Sequence, residues 1–290
     1  MKKSKSRKVF EYFNITLMAV LTLITIYPIF NQLALSLSST DAILNGKVTL
    51  FPVDFSLTTY KDIAKESLFW RNYLNTIWYT FAGTVVSLVL TTTSAYALSK
   101  KNLVGNKLIL RLMVFTMFFG GGLIPTFMLI KNLHLTDSIW AIIIPWAIVP
   151  YHILLMKTYF EGLPGDLEEA AKIDGLSQFS FFIRIVLPLS KPILATMTLF
   201  TSVLYWNDWF TALIYINDSA KYPVTLYLRN VMMGATMASQ TGQTIDASVK
   251  SIPQGIQAAS MMLVIIPILC IYPFVQKHFV KGVMIGAIKG

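Results

Sequence analysis

The chain has 290 residues, of which 55% are hydrophobic and only 13% charged, at a mean hydropathy of +0.61. Soluble domains carry about 25% charged residues, so a protein solvated on all sides is excluded. At this hydropathy the net charge of +10 belongs to loops beside a membrane and not to a nucleic-acid surface.

A helix needs about 20 predominantly apolar residues to cross roughly 30 Å of hydrocarbon. After a basic tail of Lys2, Lys3, Lys5, Arg7 and Lys8, the first such stretch is Ile15–Leu37. It is too long for a signal-peptide core and no small-x-small cleavage site closes it, so an uncleaved span is expected. A loop over 38–72 follows, with Leu57–Trp70 reading as a surface helix. Tyr73–Leu98 is the second span, and Lys100, Lys101, Lys107 and Arg111 flank the turn after it. The third span, Leu108–Ile130, contains Gly120-Gly121-Gly122, which serves either close packing or a hinge. A short turn, Lys131–Ser138, leads into the fourth, Ile139–Met156.

Residues 161–190 are polar by comparison, and Pro192–Ile216 is the fifth span. A second long loop, 217–255, carries an expected short helix at Leu226–Met233 and a mobile stretch from Gly234 to Pro253. Ile256–Gln276 is the sixth span. It holds Cys270, the single cysteine, read as a small buried hydrophobe, so no disulfide joins the chain to itself. Prolines at 28, 125, 145, 150, 267 and 273 read either as kinks that neighbouring helices tolerate, the favoured reading, or as shaping a pathway that opens and closes.

Lys and Arg favour the cytoplasmic side. With the N-terminus inside, 16 of the 24 basic residues fall there. The expectation is an all-α, multi-pass protein of a cell membrane, one transmembrane domain over 1–290 with six helices and both termini cytoplasmic. The spans are too long for barrel strands of about 10 residues. No repeat of the two halves is visible, which weighs against common secondary-transporter architectures.

The polar stretch at 161–190 then faces the cytoplasm. Pro164-Gly165 breaks the preceding span, Asp166 reads as an N-cap, and Glu169 stands at capping-box spacing from it. Two turns over Leu167–Asp174 end at Gly175, a left-handed stop. A second short helix from Ser177, with Phe179, Phe182 and Ile183 on its apolar side, is expected to end before Pro188. Ala170 and Ala171 offer a small-residue surface at which another protein's backbone can approach.

Taken singly, Glu169 closes its own capping box and the alanines are good helix formers. Taken together, Glu169, Ala170, Ala171, Gly175, Ile185, Leu187 and Pro188 follow the pattern Glu-Ala-Ala, three residues, Gly, nine residues, Ile-x-Leu-Pro. This resembles the coupling loop of permease subunits of ATP-binding-cassette (ABC) importers. Trp206-Asn207-Asp208 resembles the Trp-Asn-acid signature of sugar permeases, and Phe55 to Tyr60 with Asn72 and Asn75, like the ending from Phe279 to Gly290, is similar to the smaller permease of maltose-type carbohydrate importers. Phe119 to Gly122 and the Val-Met-Ile-Gly-Ala stretch resemble permeases for oligosaccharides and complex polysaccharides.

The resemblance implies a type I importer permease fold and a binding-protein-dependent, ATP-driven import of a sugar, with an oligosaccharide preferred. Glu169, Ala170, Ala171, Asp174, Gly175, Ile185, Leu187 and Pro188 would couple to an ATPase. The implied partners are a second homologous permease, an ATPase dimer carrying ATP and Mg, an extracytoplasmic sugar-binding protein, the carbohydrate and membrane lipid. The 217–255 loop corresponds in position to one that probes the binding protein's sugar cleft, and the C-terminal tail to one reaching the ATPase. The chain lacks a Gly-x-x-x-x-Gly-Lys-Ser/Thr phosphate loop, so no cofactor is expected on it and the nucleotide belongs to another chain.

Asp208 is ionisable within a span and so a pathway candidate, unless it hydrogen-bonds inside the permease pair. Tyr205, Trp206 and Asn207 join it: aromatics stack on sugar rings, although they also anchor at membrane interfaces. Glu168 and Glu169 point about 100° apart on a helix and do not bracket a glycosidic bond. His134, His152 and His278 show neither metal-ligand nor nucleophile spacing, so no catalytic residues and no metal are expected. Two alternatives stay open, an ABC permease for a non-sugar solute and an ion-coupled carrier. The carrier would call for more intramembrane charge than Asp208.

Overall fold

The computed structural model describes residues 5–241 and 254–270, and helices are the only regular elements among the described residues. The backbone groups into two compact units, Met1–Trp70 with Leu228–Ile266 and Arg71–Tyr227 with Pro267–Gly290.

In the first unit, α1 (Lys5–Ser36) carries a 27-residue apolar run, Phe10–Ser36, of hydropathy 1.9 whose most apolar window has no buried residue. A helix apolar all round needs an apolar surrounding, which a bilayer supplies. The chain beyond α1 folds back on its end. Ser38 Oγ donates to the Ala34 carbonyl at 2.6 Å and accepts the Val53 N–H at 3.0 Å. Ala34, Ala42, Ile43 and Val48 close a small core around α2 (Thr40–Leu44). The expected surface helix is present as α3 (Thr58–Lys65), and α4 (Ser67–Ser99) begins at Ser67 rather than Tyr73.

The second unit takes up most of α4, the other helix among the described residues that is by itself long and apolar enough to cross a membrane. The expected third span is two helices, α5 (Asn106–Phe118) and α6 (Leu123–Asn132), bent by 115°. Gly120-Gly121-Gly122 supplies the break, since Gly122 has φ 88, a region that glycine alone enters freely. The fourth is α7 (Ile139–Trp146) and α8 (Pro150–Glu161), bent by 52° where Pro150 opens α8.

Next come α9 (Asp166–Ile173), α10 (Gln178–Leu189) and α11 (Lys191–Asn207), the last two bent by 80°. The expected fifth span is interrupted at Asp208 before α12 (Phe210–Tyr215). The helix expected at Leu226–Met233 lies inside the longer α13 (Val224–Thr241), which also takes in the start of the stretch read as mobile. α14 (Gln254–Cys270) covers the first part of the sixth span, and Cys270 is free and exposed instead of buried. Residues 242–253, 271–276 and the tail lie outside the described residues. Counting each bent pair as one span gives up to five spans among the described residues.

Two apolar clusters organise the second unit at the two ends of α11. One joins Ala95 and Leu98 of α4, Met156 and Phe160 of α8, Ala171, Phe181, Phe182, Val186 and Met197. The other joins Tyr79, Ile130, Ile142, Tyr205, Ala212 and Tyr215. The sequence-predicted site residues adjoin these clusters, through Ala171, Ile185 and Leu187 at one and Tyr205 at the other, with α11, about 25 Å long over 17 residues, running between them.

Candidate coupling site

The polar connection between α8 and α11 is built from its own caps. Its first turn starts at Pro164, whose carbonyl accepts the Leu167 N–H at 3.4 Å. Gly165 therefore holds the N-cap place in helical geometry (φ −64, ψ −31), and Asp166 is the first helical residue. The expected capping box of Asp166 with Glu169 does not form, because a side-chain cap needs an extended residue ahead of the helix. Asp166, Glu168 and Glu169 instead place three carboxylates in the first turn of α9, where the positive end of the helix dipole favours them.

Gly175, at φ 74, ends the helix as expected. Its N–H donates to the Lys172 carbonyl at 3.1 Å, and the next N–H, Leu176, reaches back to Ala171 at 2.9 Å. That pair of bonds is a Schellman stop. Leu176 then packs on the same cluster as Ala171. Ser177 starts the second helix, its Oγ accepting the Ser180 N–H at 3.2 Å.

This second helix does not end before Pro188. It passes through a π turn, Phe182–Val186, and continues to Leu189. The wide turn lies where the proline ring would otherwise meet the carbonyl four residues back, at Arg184. Its buried face is Phe181, Phe182 and Val186, while Phe179 and Ile183 are exposed. The expected apolar side is thus rotated, since the cluster with Ala95 and Phe160 decides which phenylalanines go in.

One ion pair fastens the bend to the end of α4. Lys100 Nζ lies 2.7 Å from Glu168 Oε2 and 4.5 Å above the centre of the Tyr96 ring. Gln178 Nε2 donates to Glu168 Oε1 at 3.2 Å, Gln178 Oε1 accepts from the Tyr96 hydroxyl at 3.2 Å, and Lys172 approaches Glu168 to 3.3 Å. The Lys100 ammonium, with Gln178 and Lys172 behind it, holds the Glu168 carboxyl down to about 2 against the opposing pull of partial burial. The bend is pinned from inside and open outside. Glu169, Ala170, Asp174, Gly175 and Pro188 are exposed, and Ile173 is 87% exposed. Ile185 and Leu187 are half-buried. Ala171 is only 4% exposed and belongs to the interior cluster, so Ala170 alone of the two alanines offers outward surface.

At the other end of α11 the structure gives the 205–208 group internal duties. The Tyr205 hydroxyl donates to the Ile143 carbonyl at 2.9 Å, and Trp206 meets Tyr73 edge-on at 6.0 Å. Asn207 Nδ2 donates to the Val203 carbonyl of its own helix at 2.9 Å. Asp208 accepts Trp146 Nε1 at 3.1 Å and the Thr211 N–H at 3.0 Å, which starts α12 after the break. Beside Trp206 a narrow cleft opens between Thr80, Leu199, Ser202, Val203, Pro267 and Ile268. Among the described residues no three His, Cys, Asp or Glu side chains gather as a metal site.

Residues 89–285 match the family described as binding-protein-dependent transport system inner membrane component. The chain belongs to this family. It is 42% identical over 290 residues to Protein LplC of Bacillus subtilis (strain 168), covering 100% of this chain and 98% of that one. It is 40% identical over 270 residues to the polygalacturonan/rhamnogalacturonan transport system permease protein YtcP of the same organism, covering 92% and 94%. Among solved structures, it matches a chain of a bacterial ABC transporter involved in the import of the acidic polysaccharide alginate. That match has a TM-score of 0.88 at 32% identity over 96% of this chain and 99% of that chain. The fold is that of an ABC importer permease.

In this inner membrane component the residues that sequence reasoning passed over are Lys100, Glu168, Gln178 and Tyr96. Lys100 entered only as a topological charge and Glu168 only as a carboxylate beside Glu169. The one local signal was that Glu168 and Lys172 stand four apart on a helix; nothing local links either to a lysine 68 residues earlier.

Proposed function

We propose that this chain is one of two permease subunits of an ATP-driven, binding-protein-dependent carbohydrate importer, and that the α9–α10 bend is where a cytoplasmic ATPase docks. The observation that carries this reading is the exposed face of Glu169, Ala170 and Ile173 on a bend pinned to α4 by Lys100 and Glu168. A partner pushing on that face would move α4 and α10 together. In the proposed topology one domain over 1–290 crosses the membrane six times, through α1, α4, the pairs α5–α6, α7–α8 and α11–α12, and a sixth span starting in α14. Both termini, the turn after α4 and the α9–α10 bend face the cytoplasm, where the basic residues concentrate.

The substrate class proposed is an oligosaccharide, supported by the transport roles in the names of YtcP and the alginate importer. ATP and Mg bind the ATPase pair, and a second permease completes the pathway. Trp206 and Ser202, which face the cleft, are the pathway side of α11, while Asp208 shapes the helix break.

The test is co-purification of the tagged chain with an ATPase and a second permease, followed by ATP-dependent uptake of oligogalacturonides and alginate oligomers in proteoliposomes. ATP-dependent uptake that requires an external binding protein is the expected result. Uptake by the purified chain alone, driven by an ion gradient, overturns the reading.

A further inference from the structure

The segment between α12 and α13 makes one short 3-10 turn of its own, Ser219–Lys221, and is otherwise held by side chains of its neighbours. Four side chains on one stripe of α4, Asn72, Asn75, Thr76 and Tyr79, are spaced i, i+3, i+4, i+7 and so share a helix face. Each carbonyl from Ser219 to Tyr222 accepts from this stripe. Asn75 Nδ2 donates to Ala220 at 2.9 Å and Tyr222 at 3.1 Å, and the Tyr79 hydroxyl to Lys221 at 2.9 Å. Asn72, its amide turned so that nitrogen faces them, donates to Ser219 at 3.1 Å and Tyr222 at 3.2 Å. Thr76 Oγ1 accepts the Val224 N–H at 2.7 Å, the first residue of α13.

A second grip comes from the α6–α7 turn. Asp137, in the left-handed region at φ 58, accepts the N–H of Asn217 at 2.6 Å and of Asp218 at 3.2 Å, and the Asn217 side-chain amide at 3.0 Å. Its own carbonyl accepts Lys221 Nζ at 3.0 Å. These amides hold the Asp137 carboxyl below the usual carboxylate range.

We propose that this clasp is the mount of the outer loop. Asn72, Asn75, Thr76, Tyr79 and Asp137 are positioning residues that fix the start of α13, and thereby how the 217–255 loop is presented to the external binding protein. The inference rests on the importer reading and topology above. The physical reason is that exchange of water for protein hydrogen bonds stabilises little in net terms, whereas each bond is directional. Directional bonds to four consecutive carbonyls set the register of a segment that apolar contact alone would let slide.

The test uses the whole reconstituted complex with its purified external binding protein, reading the concentration that gives half-maximal stimulation of ATP hydrolysis. Asn75→Ala and Asp137→Ala should raise it about tenfold with basal hydrolysis unchanged, while Asp137→Asn, which keeps one acceptor oxygen, should return most of the loss. An unchanged half-maximal concentration in either alanine variant overturns the proposal, as does an equal fall of basal and stimulated rates, the mark of a merely structural role. Hydrogen exchange in the wild-type complex decides the matter if the variants fail to assemble. The Asn217, Asp218 and Val224 amides should stay protected with and without the binding protein, and loop-like exchange in either state sinks the mount. If no binding protein stimulates the wild-type complex, the importer reading fails on its own account.

Discussion

The ring of Tyr205 lies so close over Gly83 that a β-carbon on the glycine would stand 2.6–2.7 Å from three of its ring atoms. The ring cannot give way freely. Tyr205 is 2% exposed, and its hydroxyl is tied to the Ile143 carbonyl at 2.9 Å. α4 and α11 therefore meet at a contact that only glycine permits. Gly83→Ala should destabilise the folded chain by about 1–3 kcal/mol, as overpacked cores do. Combining it with Tyr205→Leu should cost less than the two changes added together. Thermal unfolding in detergent measures both, and simple additivity would show that the contact is not strained by the added carbon.

The Glu168 carboxyl starts from an ordinary 4.5 and is held down to about 2, chiefly by Lys100. Folding thus favours the charged form. The stability it supplies is complete above about pH 4.5 and is lost as the pH falls toward 2. The melting difference between wild type and Glu168→Gln should stay constant from neutral pH to about 5 and shrink below that. In a double-mutant cycle, Lys100→Met and Glu168→Gln should be coupled by about 0.5–3 kcal/mol. Melting curves across pH give both answers, and a difference that grows on acidification would reverse the assigned sign.

Much of the bend could be read locally. Gly175 and Ser177 act through bonds to residues three to five positions away, so a short window of sequence carries their roles. The failures have a common origin at longer range. Asp166 loses its cap role because the turn already begins at Pro164, and Pro188 is carried inside a helix by the π turn ahead of it. Ala171, Phe179 and Ile183 were assigned faces that packing against Ala95 and Phe160 reverses. The helix breaks at Gly122 and Asp208 were invisible to hydropathy, which counts apolar residues and is blind to backbone direction. The Lys100–Glu168 pin spans 68 residues, and no periodicity encodes it.

Gly175 separates conformation from crowding. A β-carbon there would meet nothing within 4 Å, but φ is 74, so only the backbone objects to substitution. Gly175→Asn should be nearly silent because Asn tolerates the left-handed region, whereas Gly175→Val should cost at least about 1–2 kcal/mol locally. The Schellman stop would open and Ile173 would lose its fixed place. Uptake should fall sharply in the Val variant and be kept in the Asn variant, with membrane insertion equal in both. Equal uptake by the two would remove the stop from the coupling argument.

Ile173 is the most exposed large apolar side chain on α9, at 87%, beside Glu169 and Ala170 on the open face of the bend. It makes no contribution to the core that its own chain would miss. Ile173→Asp should therefore change thermal stability by no more than about 0.5 kcal/mol, the range of surface substitutions. If the ATPase docks on this face as proposed, its capture should nevertheless weaken about tenfold or more, because the docked complex would bury a charge where it would have buried an apolar side chain. Ala171→Leu is the opposing control. Ala171 sits inside the cluster with Phe160 and Phe181, so its enlargement should lower stability by about 1–3 kcal/mol. Pull-down of the ATPase by each variant, normalised to folded permease, separates the two effects. Undiminished capture by Ile173→Asp would place the docking face elsewhere on the bend.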